Sequence, residues 1–438
     1  MSHSALMRRP FRNSVVLALG LVISAGLSAC GGGEAMGDGD FGSGGAGPDP
    51  GSTDGLSNLG SGGDQLGASG GSQSGGGDNL GSGGSNLDGG GGDLGSGSGG
   101  ANEGSGGANT VDCGDGPKSG FYVEDGKLYD INCNEFIARG VNDPYVWYKT
   151  ANNNNPPSPE QRFADIAGVG SNAVRVVLSA GKHGEGWPVV TGSEITNIIN
   201  WCKQNKLVAI LEVHDSTGYP EKTGAQDPQI AVDYWTSADV KNAIVGQEAF
   251  VIINIANESF GNGDSEQTDS TSWENFYTGA VPELRSAGIK HTLLVDAPNW
   301  GQDHRFIMRD GAGATNIFNA DPDKNTAFAV HMYDVYGQPS TVISYFDNFL
   351  SKGLVLFVGE FAADHGPGKD VDEATIMAQA EKHGVGYLGW SWDGNSTDLS
   401  SLDIVNNWSP TSLSTWGAAL VNDTNGIKNT AVTCSCFD

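Results

Sequence analysis

Eight short apolar runs, each followed by a stretch of helical period, alternate along the chain from residue 136 to residue 421. The sharpest is residues 251–258, VIINIANE, where five apolar or small residues and one amide lead into Asn257 and Glu258. A continuous apolar run this short suits a strand buried on both faces, as in a parallel sheet covered by helices. Counted with Phe250, it joins strand candidates at 136–142, 173–179, 208–215, 292–297, 327–333, 354–361 and 386–393. Helical patterns include 193–205, 273–287, 340–352 and 371–383, with 412–421 after the last strand. Eight such units in about 300 residues match an α/β fold, the closed (β/α)8 TIM barrel, in number and length. A doubly wound sheet rarely needs eight parallel strands and would not leave a polar residue at the end of nearly every one. Ahead of the first unit, from Gly120, GFYVEDGKLYDINCNEF places two alternating runs around Asp125-Gly126. That is a hairpin signal, expected to cap the bottom of the barrel.

The strand ends carry the chemistry, because in such a barrel the site is built at the carboxyl ends of the strands. They read Asn142, Arg175, His214-Asp215, Asn257-Glu258, Asp296, His331 and Tyr333, Glu360, and Trp390-Ser391-Trp392. Singly, each has an ordinary structural explanation: a hydrogen-bonded histidine, half of an ion pair, a core indole. Together they form a ring of acids, bases, amides and aromatics that packing does not require. Glu258 and Glu360 end two apolar runs about a hundred residues apart, and a carboxylate above an apolar floor has its pKa raised. Two carboxyls across one barrel mouth suit glycoside hydrolysis, where one gives a proton to the leaving oxygen and the other stays ionised. Arg175 near Glu360 would hold it charged, whereas Glu258 has no cation beside it in sequence. Tyr145, Trp147, Tyr148, Trp187, Tyr219, Trp300, Tyr336, Trp392 and Trp408 crowd the loop ends. Flat rings there offer sugar faces a stacking surface, although several are expected only to anchor loops.

The N-terminal quarter differs in kind. Residues 1–29 read as a signal segment, with Arg8, Arg9 and Arg12 ahead of the apolar VVLALGLV. Leu27-Ser28-Ala29-Cys30 resembles a bacterial lipobox, which implies cleavage before Cys30 and lipidation of that residue. With Gly31 next, an outer-membrane or cell-surface address is expected, or secretion. Residues 31–110 hold 34 of the 68 glycines, ten acidic residues and neither Lys nor Arg. Such a tract has almost nothing to bury and reads as a disordered tether, with a reach on the order of 50 Å. Residues 111–438 make the catalytic domain. They carry 20 basic and 42 acidic residues within a net charge of −29, which argues against a nucleic-acid partner. The only membrane contact expected is through the N-terminal lipid, and a monomer is expected.

No metal-binding motif or cofactor fingerprint is present, so neither metal nor cofactor is expected. Beyond Cys30 stand Cys113, Cys133, Cys202, Cys434 and Cys436. For an exported chain two bridges at the bottom face are expected, with one thiol free. Cys434 and Cys436 look too close to pair with each other.

The stretches RGVN, AVRVVLS, LVAILEVHDSTGY, VIINIANE, HTLLVDAPNWGQD, HMYDVYG, VGEF and GWSWDGN, together with the hairpin, run in order through residues 120–407. They resemble glycoside hydrolase family 5, and within it the bacterial endo-β-1,4-mannanases. The resemblance implies a retaining mechanism with Glu258 as acid/base and Glu360 as nucleophile. It implies that Asn257 binds the sugar 2-hydroxyl, that Arg175 and Tyr333 orient Glu360, and that His331 sits by Glu258. His214 would line the site, Trp390 would floor the subsite of the cleaved sugar, and Asn142 and Trp300 would join the substrate-binding set. Two departures stand out: Asp143 and Tyr145 where the family often has His, and Ser259 where it usually has Pro after the acid/base. The second is expected to loosen the loop after Glu258. The function expected is hydrolysis of internal linkages of a β-mannan polysaccharide. Alternatives are an endo-β-1,4-glucanase of the same fold, or a surface carbohydrate-binding lipoprotein without catalysis.

Overall fold

The structure is a computed structural model that describes Cys113 and residues 118–150, 155–366 and 368–438. The signal segment, Cys30 and the tether lie outside the described residues. A hairpin of β1 (Tyr122–Glu124) and β2 (Lys127–Tyr129) comes first, antiparallel as its Asp-Gly turn predicts. Eight parallel strands then close a barrel: β3 (Arg139–Asp143), β4 (Ala173–Leu178), β5 (Val208–Val213), β6 (Val251–Asn254), β7 (Leu293–Asp296), β8 (Thr326–Met332), β9 (Leu356–Phe361) and β10 (Gly386–Gly389). β10 pairs with both β9 and β3, which closes the ring and leaves no edge.

Every residue of these eight strands is buried, which is why their sequences are apolar runs without strict alternation. Amphipathic helices cover the outside, among them α1 (Gly192–Gln204), α2 (Glu266–Ser286), α3 (Pro339–Leu350), α4 (Glu373–His383) and α5 (Thr415–Asn422). α1 starts at a reciprocal cap in which Thr191 accepts from the Glu194 amide and Glu194 accepts from the Thr191 amide. The apolar core has two parts. One lies between strands and helices. The other fills the amino-terminal end of the barrel, where Ile210, Ile252, Leu294 and Phe357 meet Phe121 and Leu128 of the hairpin segment and Phe136. The hairpin therefore plugs the bottom of the barrel.

Two strands are shorter than their apolar runs. β6 ends at Asn254, four residues before Glu258. The amides of Ile255 and Asn257 still bond to Leu294 O and Val213 O on the neighbouring strands β7 and β5. The Ile255 carbonyl, however, is taken by the indole of Trp235 (2.8 Å), and the chain bends over the rim. β10 ends at Gly389: the Trp390 amide still donates to Phe361 O of β9, but Ser391 and Trp392 exchange backbone bonds with residues 402, 404 and 405, and the Trp392 amide donates to Asn142 O.

The cysteines give one correction. Cys113 is bonded to Cys133, and Cys434 to Cys436, while Cys202 stays free and buried. The last pair does meet, with Cα atoms 5.2 Å apart. The Asp130 carboxylate accepts from both the amide (3.1 Å) and the hydroxyl (2.5 Å) of the intervening Ser435, and so turns the chain back on itself.

Candidate active site

Arg175 projects from the middle of β4 into the barrel and is fully buried. Its guanidinium donates to Glu360 Oε1 (2.7 Å), Asn257 Oδ1 (2.6 Å), Asn254 Oδ1 (2.8 Å), Asn142 Oδ1 (3.0 Å) and Asp296 Oδ2 (3.4 Å). Burial opposes its charge, but Glu212, Glu360, Asp296 and Glu258 around it raise its pKa further. Five donors in a fixed fork are what an arginine brings that a lysine cannot. Here the fork ties together side chains from β3, β6, β7 and β9.

Glu360 lies near the end of β9, opposite His331 in the register. Its second oxygen accepts from the Tyr333 hydroxyl (2.8 Å). Glu258 sits across from it, in a left-handed conformation (φ +41°) that costs a side-chain-bearing residue roughly 1–2 kcal/mol. That turn is held by the Glu258 amide donating to Asp296 Oδ2 (3.2 Å) and by its carbonyl accepting from the Gly218 amide (2.9 Å). His331 Nδ1 is 2.7 Å from Glu258 Oε1. A carboxylate oxygen of Glu258 lies within 4.8 Å of one of Glu360.

The two acids have different surroundings. Burial raises the Glu258 pKa and outweighs the hydrogen bond and charge of His331. His331 itself is pushed up to about 10: burial opposes its charge, but Glu360 and Asp296 prevail. Beneath them Asp296 stays low, because His331, Arg175 and the Asn254 amide overcome its burial. Glu212 of β5, which is also fully buried, is raised well above the usual carboxylate range by desolvation. It lies 2.9 Å from His214 Nδ1 and 3.9 Å from Arg175. His214 is lowered to about 4, chiefly by burial, and is neutral. The interior therefore favours the charged forms of Arg175, His331 and Asp296 and the protonated forms of Glu258 and Glu212.

A cleft of about 390 Å³ opens above this network, lined by Glu258, Trp300, Gln302, Tyr333, Glu360, His365, Trp390 and Leu402. Trp390, Trp300 and Tyr333 thus face it, as expected. Asn142 does not. Its amide donates to the Gly359, Leu388 and Gly389 carbonyls (3.1–3.3 Å) and its oxygen accepts from Arg175, so it braces the cation from below. His214 and Asn257 are buried beside each other, with 3.5 Å between His214 Nε2 and Asn257 Nδ2. Asn257 also donates to Thr217 (2.9 Å).

Trp300 is set on the rim by an unusual backbone. Asn299, Trp300 and Gly301 all have positive φ (57°, 56° and 67°). Gly301 packs so closely on His331 that a Cβ would come within 2.7 Å of the ring, and the His331 amide donates to the Gly301 carbonyl (2.8 Å). Gly218 lies under the Trp300 ring, where a Cβ would come within 2.1 Å.

Among the loop aromatics, Tyr145, Tyr336, Trp392 and Trp408 are buried anchors, while Trp147, Tyr148, Trp187, Tyr219 and Trp300 keep exposed area. The two departures also find partners. Asp143 takes a two-point ion pair from Arg162 (2.8 and 2.9 Å). Ser259, expected to loosen its loop, shares a 2.8 Å hydrogen bond with the Tyr277 hydroxyl of α2 and so ties the loop down.

Glu258, His331 and Glu360 also form the one group among the described residues with a spacing that could hold a metal ion. The charges of Glu360 and Asp296 favour the protonated form of His331, and that form offers no lone pair. Its Nδ1 is already committed to Glu258. The set fits proton chemistry better than ligation.

Residues 129–396 match the model of the cellulase family, glycosyl hydrolase family 5. The chain belongs to this family. It is 48% identical over 319 residues to a mannan endo-1,4-beta-mannosidase of Cellvibrio japonicus, covering 73% of this chain and 70% of that one. It is 43% identical to the Streptomyces lividans enzyme of the same name, covering 73% and 78%. Among solved structures, the mannohexaose complex of the Thermomonospora fusca β-mannanase superposes with a TM-score of 0.66 at 44% identity, covering 73% of this chain and 99% of that one. As a family 5 glycoside hydrolase the chain is an enzyme.

Proposed function

We propose that this chain is a retaining endo-β-1,4-mannanase acting by double displacement. The observation that carries the mechanism is the pair Glu258 and Glu360, with carboxylate oxygens within 4.8 Å across one cleft and opposite partners. Retention needs carboxyls close enough for direct attack, about 5–5.5 Å apart, rather than a gap holding a water. The relatives named above, mannan endo-1,4-beta-mannosidases, support mannan as the substrate class, as does the mannohexaose bound by a structural neighbour.

Glu360, held by Arg175 and Tyr333, attacks the anomeric carbon. Glu258, kept protonated by burial, gives its proton to the glycosidic oxygen as that bond breaks. The result is a covalent glycosyl ester on Glu360 and a Glu258 carboxylate. That carboxylate then takes a proton from water as the water displaces Glu360, and the sugar leaves with its original configuration. His331, a cation beside Glu258, steadies the carboxylate state between the two steps. Asn257 keeps a lone pair on Oδ1 for the 2-hydroxyl, Trp390 supplies the floor and Trp300 a rim. The Leu27–Cys30 motif and the glycine-rich tract support a tethered surface or secreted enzyme that works on a polymer outside the cell. No helix among the described residues is long and apolar enough to cross a membrane.

The deciding experiment follows mannohexaose hydrolysis by proton NMR. The β-anomer should form first, and locust-bean gum should be cut faster than carboxymethylcellulose. First appearance of the α-anomer would overturn the mechanism, and activity on carboxymethylcellulose alone would overturn the substrate.

A further inference from the structure

Trp390 lines the cleft, is 1% exposed and stands just past the end of β10. What fixes the tilt of such a ring matters, because a sugar stacked on it sits over the paired carboxyls. Part of the answer is backbone: Trp390 N donates to Phe361 O (2.8 Å), and the Trp390 carbonyl accepts from the Trp416 indole (3.0 Å). Neither contact sets the ring itself.

The ring's own polar atom, Nε1, donates to Asn395 Oδ1 (3.2 Å). An indole N–H only donates, so the amide must present its oxygen. That orientation is imposed from the other side. Asn395 Nδ2 donates to Asp403 Oδ1 (2.7 Å) and to Ser391 Oγ (3.0 Å), and the Asn395 amide nitrogen also donates to Asp403 Oδ1 (3.0 Å). Asp403 follows Leu402, which lines the same cleft. Leu402 and Ile404 flank it with backbone bonds to Ser391.

We propose that Asn395 and Asp403 are positioning residues. Asp403 keys the Asn395 amide so that its oxygen faces the Trp390 indole, and this brace sets the tilt of the cleft floor. With the Asp403 acceptor gone, the amide can turn and present N–H₂ to N–H. The inference rests on the floor role given to Trp390 above, and it adds that the loop carrying Asn395 and Asp403 tunes the surface a sugar meets.

The test uses the full chain labelled with ¹⁵N on its indoles, the Trp390 resonance being assigned from a Trp390→Phe variant. In Asp403→Ala and Asn395→Ala that resonance should shift and its proton should exchange with water at least several-fold faster. Asp403→Asn, which keeps a carbonyl acceptor, should restore it. An unmoved resonance in both alanine variants overturns the brace. In parallel, kcat/KM on mannohexaose should fall about 3–10-fold in Asn395→Ala, the scale of one neutral hydrogen bond. The same change made in the Trp390→Phe background should add nothing. Additive losses would mean that Asn395 merely supports its loop, which overturns the positioning role. If the indole moves as expected while the parent chain leaves mannohexaose intact, the mannanase reading fails and the brace stands.

Discussion

The two ends of the barrel are made of the same eight strands and obey opposite rules. At the amino-terminal end Ile210, Ile252, Leu294 and Phe357 meet Phe121 and Leu128, all apolar and nearly without exposed area. At the carboxyl end the same strands carry Arg175, Glu212, Asn254, Asp296, His331 and Glu360, equally buried and all polar. Burying an apolar side chain stabilises by roughly 1.5–3 kcal/mol. Burying a charge costs several kcal/mol unless it is paired, and a good pair at best recovers that cost. The bottom therefore holds the fold together, while the mouth stores chemistry. Substitutions should separate the two: rate without stability above, stability without rate below.

The largest effect is expected from Glu360→Gln, which leaves one amide oxygen to accept from Arg175, turns an N–H₂ toward Tyr333 and removes the carboxylate proposed as nucleophile. Turnover of mannohexaose should fall by roughly 10⁴-fold or more, with the melting temperature nearly unchanged. A barrel that unfolds instead would break the comparison. Next comes Glu258→Gln, expected to lose about 10²–10⁴-fold, the usual worth of a positioned acid–base group. It carries a pH signature. In the role proposed for it Glu258 gives up a proton, and burial raises its pKa, so wild-type kcat/KM should fall as pH rises through that value. His331, at about 10, stays protonated across that limb. The alkaline fall should vanish in the glutamine variant, and its persistence would assign the limb to another group.

At the other end Phe121→Ala should cost about 3–5 kcal/mol in denaturant unfolding, with unchanged turnover per folded molecule. Loss of activity without loss of stability would contradict the division. Cys113→Ser should cost about 3 kcal/mol by releasing the loop closed to Cys133. Peptide mapping that finds all five thiols free after residue 30 would remove the basis of that prediction. The smallest effect, about 1 kcal/mol, is expected for Ser259→Ala, which deletes the bond to Tyr277. It probes the boundary, since a loop at the mouth should loosen slightly and raise the KM for mannohexaose before it lowers kcat.

These two halves were not equally visible in the sequence. Strands buried on both faces must be apolar runs, so β4 was expected at 173–179 and is found at Ala173–Leu178. Glu258 and Glu360 stood out because each ends such a run. Glu212 was passed over because it lies inside one. The signal was there all the same: it precedes His214 by two residues, the spacing that puts both on one face of a strand. Gln302, His365 and Leu402 reach the cleft from loops, whose paths depend on partners far away in the chain. The pairing of Cys434 with Cys436 was illegible for the same reason, since Asp130 makes that turn from three hundred residues upstream. Asn142, read as a sugar contact, shows that a strand-end amide can equally well serve the layer beneath.

Arg175 carries one more consequence. It belongs to the first four strands of the ring, while the carboxylate it bonds to, Glu360, belongs to the last four. Neither half-barrel holds both groups. The 2.7 Å contact between them is therefore a property of the closed ring, made only where strands of both halves face one interior.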